Sequence, residues 1–188
     1  RGDKLLLCLC LMASGYGLAL IYSATRYLTV NRDRSVMIQA IGILLGAAVY
    51  ILLSSVDLEL FTEKTWKLLF LFNIGFNLLV RTPLGVEVGG NRNWVRIPGL
   101  PMNIQPAEIT KLTFILLFAY QCSRLQERGI SRPTSVFQLA AHAGFMAGLI
   151  VVVSGDKGMP LVYLFLFAIM CWCAGVKLRW YVLAAAVC

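Results

Sequence analysis

Glu108 and Lys111 stand three residues apart at the head of an apolar run, and on a helix that spacing puts them on one face. They close the stretch NRNWVRIPGLPMNIQPAEITK, residues 91–111, which also carries Arg92, Arg96 and Gln105. Asn103 is suited to cap the helix, and Pro106 to its first turn, where no amide donor is needed. A helix N-terminus offers free N–H groups and a partial positive charge, both favourable to an anion. With Arg92 and Arg96 just ahead, the stretch can form a cationic receptacle for a pyrophosphate, in which Glu108 holds Lys111 in place. The competing reading is structural: an intrahelical ion pair, with the arginines at a membrane surface.

A second cluster is SGDKGMP, residues 154–160. Gly155 and Gly158 permit a tight turn, and Pro160 suits the first turn of a following helix. Asp156 is then either a site carboxylate or the solvated tip of a hairpin. His142 is a lone histidine in an apolar block and reads as a buried hydrogen-bonding residue. Asn73 and Asn77, four residues apart, read as bonded to a neighbouring helix. The six cysteines, Cys8, Cys10, Cys122, Cys171, Cys173 and Cys188, show no C-x-x-C spacing. Pairs two apart point to opposite sides of a helix, so these are small packing residues rather than metal ligands. The chain has no Walker loop, no G-x-S-x-G and no H-E-x-x-H.

The elements that must position these residues follow from composition. The 188 residues are 59% hydrophobic and 14% charged, with a mean hydropathy of +0.77. A soluble domain runs near 45–50% apolar and about a quarter charged. The apolar residues also come in long blocks, and backbone groups in lipid must pair within their own segment. The fold class is therefore all-α, a polytopic transmembrane helix bundle of six full spans plus the start of a seventh. The spans are predicted near residues 5–23, 36–56, 66–80, 104–120, 136–153, 159–176 and 178–188. The block at 66–80 is short unless its flanks extend it. Residues 5–22 are too long for a signal-peptide core and read as a retained first helix. Because the last apolar run reaches Cys188, the expected organisation is one transmembrane domain over 1–188, incomplete at its C-terminal end.

The net charge of +8 does not indicate nucleic acid, since the Lys and Arg residues lie mostly in short stretches between apolar blocks. Membrane lipids and a phosphate-bearing lipid substrate are the expected partners. Nine Lys and Arg on one side against seven on the other favour a cytoplasmic N-terminus. That orientation places residues 26–35, 81–103 and 154–158 outside, and residues 57–65 and 123–135 in the cytoplasm. Trp66, Trp94, Trp172, Trp180 and Tyr181 fall near span ends, where such rings suit the headgroup layer. Residues 81–103 form the one long connection, and interleaved Val, Trp, Ile and Leu argue for an ordered, functional loop.

These residues also carry a resemblance. Arg92-Asn93-Trp94, followed by Gln105-Pro106-Ala107-Glu108 and Lys111, resembles an Arg-Trp-like pair and the Gln-Pro-Ser-Glu-x-x-Lys element of the SEDS (shape, elongation, division and sporulation) family of FtsW, RodA and SpoVE. Tyr22-Ser23-Ala24 is similar to the end of that family's first span. Gly155-Asp156-Lys157-Gly158 resembles its Gln-Pro-Asp-Leu-Gly turn at Asp156 and Gly158, and residues 174–180 look similar as well. Ala107 replaces a serine, and Ser154-Gly155 and Lys157 depart from the family around Asp156.

The resemblance implies the amino-terminal part of a bacterial peptidoglycan glycosyltransferase in the plasma membrane. Such an enzyme polymerises lipid II onto an undecaprenyl-pyrophosphate-linked glycan beside a class B penicillin-binding protein, for cell shape, division or sporulation. Substrate-binding residues on this reading are Arg92, Gln105, Glu108, Lys111 and Asp156. The catalytic acidic residue is expected in a loop beyond Cys188. No cofactor is assigned, which leaves room for a divalent cation. Two alternatives are a lipid II flippase or transporter and a non-enzymatic membrane scaffold of the cell-wall synthesis complex. Glu108 and Asp156 near one membrane face suit surface chemistry better than a midplane transport site.

Overall fold

The computed structural model describes residues 4–25, 32–99 and 102–187. Seven helices dominate: α1 (Lys4–Ala24), α2 (Arg32–Leu53), α3 (Leu58–Leu78), α4 (Pro106–Arg128), α5 (Pro133–Ser154), α6 (Gly158–Cys173) and α7 (Leu178–Val187). They follow the seven apolar blocks in order. The helices α1, α2 and α5 are long and apolar enough to cross a membrane by length and composition. The molecule is an all-α membrane bundle with one small sheet. Arg26, the side chain of Arg32, and Cys188 lie outside the described residues.

Contacts divide the chain into two units, Arg1–Phe61 and Thr62–Cys188. In the first, α1 and α2 pack against each other, and α1 ends at the Tyr22-Ser23-Ala24 motif. Asp57 Oδ1 accepts the backbone N–H groups of Glu59 (3.1 Å) and Leu60 (3.2 Å), which satisfies two orphan donors at the start of α3. With that cap, α3 begins at Leu58, eight residues before the apolar block at 66. The connection expected at 57–65 is thus mostly helix.

In the second unit α4 packs against both α5 and α6, and α5 and α6 form an antiparallel pair. Phe114, Phe118, Leu139, Met146, Ile150 and Tyr163 are fully buried between them. Gly155 caps α5 in the left-handed region (φ 72°), where a side chain would be strained. Five cysteines are described, all free, with Cys122 and Cys171 buried in this core.

Residues 81–103, which the sequence marks only as an ordered connection, form a three-stranded antiparallel sheet. Strands β1 (Gly85–Val88), β2 (Asn91–Arg96) and β3 (Asn103–Ile104) lie in the order β1-β2-β3. The turn is Gly89-Gly90, both with positive φ (63° and 83°), the backbone that a two-residue hairpin demands. Val95 of β2 is buried against Val80 and Val153, fixing the sheet to the ends of α3 and α5. A Cβ on Gly85 would lie 1.9 Å from the Val80 carbonyl oxygen, so only glycine allows this approach.

One capping assignment is corrected. Asn103 is not the N-cap of α4; it pairs with Arg96 in the sheet, and Gln105 occupies the cap without a side-chain bond to the helix. Pairing to β2 uses the backbone of Asn103 and moves the helix start two residues on. Pro106 does open the helix.

Candidate functional site

Asp156 sits in the three-residue gap between α5 and α6, at the end of the bundle that carries the sheet. Its Oδ1 accepts the N–H groups of Gly158 (2.8 Å) and Met159 (3.3 Å), capping α6. Its Oδ2 accepts the side-chain amides of Asn93 (2.9 Å) and Gln105 (3.4 Å). One carboxylate therefore ties together β2, the cap of α4 and the start of α6. Partial burial works against its charge, but the bonds from Asn93, Gly158 and Met159 outweigh that and hold its pKa below the ordinary carboxylate value. Asp156 is thus an anchored anion rather than a solvated tip.

Gln105 links this junction to the ion pair. Its carbonyl accepts the N–H of Glu108 (3.1 Å), and one turn into α4 the Glu108 Oε2 receives Lys111 Nζ at 2.7 Å. The Lys111 side chain is 23% exposed and that of Glu108 52%. Both thus remain accessible at the mouth of the helix, with a cation held beside free backbone donors.

The arginines take other positions. On β2, Asn93 and Val95 point to one face, so Arg92, Trp94 and Arg96 lie on the other. Arg92 Nη2 donates to the Thr82 carbonyl at 3.0 Å, and its side chain lies close to Gly85. Arg81 donates to the Val152 carbonyl. Gln105 and Asp156 are therefore brought together, as are Glu108 and Lys111, while Arg92 is bonded along the hairpin.

Beneath the site lies a buried polar chain. Asn77 Nδ2 donates to Thr110 Oγ1 (2.9 Å), and Thr110 Oγ1 lies 3.0 Å from the Tyr163 hydroxyl. Tyr163 in turn bonds the Ala107 carbonyl at 3.0 Å. Thr113 donates to Asn73 Oδ1, so both asparagines of α3 bond α4, as their spacing indicates. These bonds lock α3 and α6 onto the first turns of α4. His142 Nδ1 meets Gln121 Oε1 at 2.7 Å, the hydrogen-bonding role expected of it. Sequence reasoning missed Asn93, Thr110, Thr113 and Tyr163 as positioning residues. The alternation of Asn93 with the apolar Val95 was the available signal for the first.

The model of the FtsW, RodA and SpoVE cell cycle protein family matches residues 3–188. The chain belongs to that family. Among curated family members, it is 27% identical over 188 residues to a probable peptidoglycan glycosyltransferase FtsW from Trichlorobacter lovleyi, covering 94% of this chain and 46% of that protein. It is 33% identical over 132 residues to the protein of the same description from Nitrosococcus halophilus, covering 67% of this chain and 32% of that one. The chain thus spans half or less of these relatives. Its fold matches a chain in a solved structure on coordination of polymerization and crosslinking by a peptidoglycan synthase complex. There the TM-score is 0.70 at 23% identity, over 98% of this chain and 51% of that one. It also matches the rod shape determining protein RodA of Thermus thermophilus, with a TM-score of 0.59 at 24% identity, over 90% and 56% of the two chains. Membership places this chain among integral membrane proteins, in keeping with its apolar helices.

Proposed function

We propose that the chain is part of a membrane peptidoglycan glycosyltransferase that polymerises lipid II into glycan strands. The observation that carries this reading is the family match along residues 3–188, joined to relatives described as peptidoglycan glycosyltransferases. The reaction moves the growing glycan from undecaprenyl pyrophosphate to a hydroxyl of lipid II. It requires charge stabilisation of the leaving pyrophosphate and an acceptor for the hydroxyl proton.

The residues at the sheet end supply the first need. Lys111 and the α4 N-terminus provide positive charge, and Gln105 an amide donor. Glu108 orients Lys111, and Asp156 sets the geometry of the start of α4. A carboxylate bound by four donors is a weak base, and the family resemblance assigns the proton acceptor to a later loop. The ion pair stands at one end of the bundle, away from mid-depth where a transport site would lie, which favours transfer over transport. The N-terminus is cytoplasmic in a bacterial plasma membrane, so the sheet faces outside. The partner is a class B penicillin-binding protein, as the resemblance to the family implies.

The test is lipid II polymerisation by the full-length protein with its partner. Lys111→Met and Gln105→Leu should each slow polymerisation by about 10²-fold, the scale of losing one preorganised donor. Rates unchanged in both variants would overturn the assignment. Residues 1–188 alone, once shown to be folded, should bind the lipid pyrophosphate without polymerising it.

A further inference from the structure

At the end opposite the sheet, the lower halves of α3, α4 and α5 enclose a pocket of about 720 Å³. Its polarity changes with depth. Arg124 and Arg128 on the last turns of α4 stand at its mouth. Deeper along the same stripe of α4 comes Leu117, faced by Phe70 of α3 and Phe145 of α5, with Trp66 near the opening. Gln121 Oε1 and His142 Nδ1 meet at 2.7 Å, and the imidazole, whose buried Nε2 has no partner among the described residues, lies among the rings of Phe70, Phe114 and Phe118. The deep part is therefore compatible with hydrocarbon.

The mouth is not neutralised by its own acids. Arg124 bonds Glu63 at 3.2 Å and stacks on Tyr120, yet its side chain remains 57% exposed. Arg128 has no ion pair among the described residues, and Glu127 is the one acid lining the pocket. Within residues 62–188, the start of α3, the end of α4, the connections after α4 and α6 and the start of α7 hold seven Lys and Arg against two Glu. An occupant must match a cationic rim above an aromatic, apolar shaft. A basic pocket between membrane helices is suited to an anionic lipid headgroup.

We infer that this pocket binds an anionic phospholipid of the adjoining leaflet, its phosphate between Arg124 and Arg128 and an acyl chain along Phe70, Leu117 and Phe145. The volume lies within the range of small-ligand sites. The site is separate from the one at the sheet end, and the inference does not depend on the glycosyltransferase reading.

Trp66 provides a local reporter. The full chain with Trp94, Trp172 and Trp180 replaced by Phe is reconstituted in phosphatidylcholine vesicles. These carry either brominated phosphatidylglycerol or brominated phosphatidylcholine with the same acyl chains. Quenching of Trp66 should favour the anionic lipid, with an affinity ratio of about five- to thirtyfold for two arginines near an anionic surface. Arg124→Gln with Arg128→Gln should bring that ratio near one, while Arg132→Gln, outside the pocket walls, should preserve it. Arg128→Gln alone should lower it and breaks no ion pair, so this variant carries the test if the double variant does not insert. Native mass spectrometry of the unmodified chain, reading retention of phosphatidylglycerol over phosphatidylcholine, repeats the comparison without tryptophan changes. Equal quenching by the two lipids, or equal losses from Arg132→Gln and Arg128→Gln, would overturn the site.

Discussion

The Asn93 amide donates to Asp156 Oδ2 at 2.9 Å across 63 residues of sequence, and this bond fastens the β-hairpin to the α5–α6 junction. Asp156 also caps α6 and accepts Gln105, so three elements lose a common tie when its charge is removed.

The first prediction concerns pH. The folded pKa of Asp156 lies below its ordinary value of 3.8. Its contribution to stability is therefore complete above that ordinary value and is lost as pH falls through the depressed folded one. Thermal unfolding in detergent should show a drop in stability below about pH 4 that is smaller in Asp156→Asn. Asn93→Ala should also shrink it, by raising the folded pKa. Identical acid profiles in all three proteins would show that the junction contributes nothing.

The second concerns the ion pair. Glu108→Gln leaves Lys111 without its partner, so the two single changes and the double change should not add. A double-mutant cycle with Lys111→Met is expected to give a coupling of about 0.3–1 kcal/mol, the range for half-exposed pairs one turn apart. Strict additivity in stability and activity would mean that the pair is not coupled.

The buried chain beneath the site supplies the third. Thr110→Val keeps the shape but removes the group that Asn77 and Tyr163 share. A loss of about 0.5–2 kcal/mol is expected, given modest interhelical bonds in membranes and the added cost of an unsatisfied amide. Tyr163→Phe should cost less, because Thr110 keeps its bonds to Asn77 and to the Pro106 carbonyl. Denaturant titration in mixed micelles orders the two variants; the reverse order would contradict the network.

The fourth concerns orientation. Glu87 beside the hairpin turn and Glu127 at the end of α4 are both exposed and lie at opposite ends of the unit. Single cysteines there, in a chain with the native cysteines replaced by Ala, are treated with an impermeant thiol reagent on intact spheroplasts. Position 87 should label and position 127 should not. The opposite pattern would invert the topology.

How much of this was legible in the sequence depends on the range of each interaction. The seven helices follow from apolar block lengths, because a segment in lipid has few other ways to satisfy its backbone. The Glu108–Lys111 pair and the role of Pro106 were readable because both are decided within one helical turn. The asparagines of α3 announced a helix partner by their spacing but not which one. The Gly89-Gly90 hairpin was also written locally, yet without an apolar alternation long enough to mark strands it read as a connection. Only the tertiary structure moved the α4 cap from Asn103 to Gln105, turned Arg92 along the hairpin and brought Asn93 to Asp156. Those outcomes depend on Val95 being buried against Val80 and Val153. That packing sets which face of β2 meets the helices, and contacts between such distant residues leave no periodic trace in the chain.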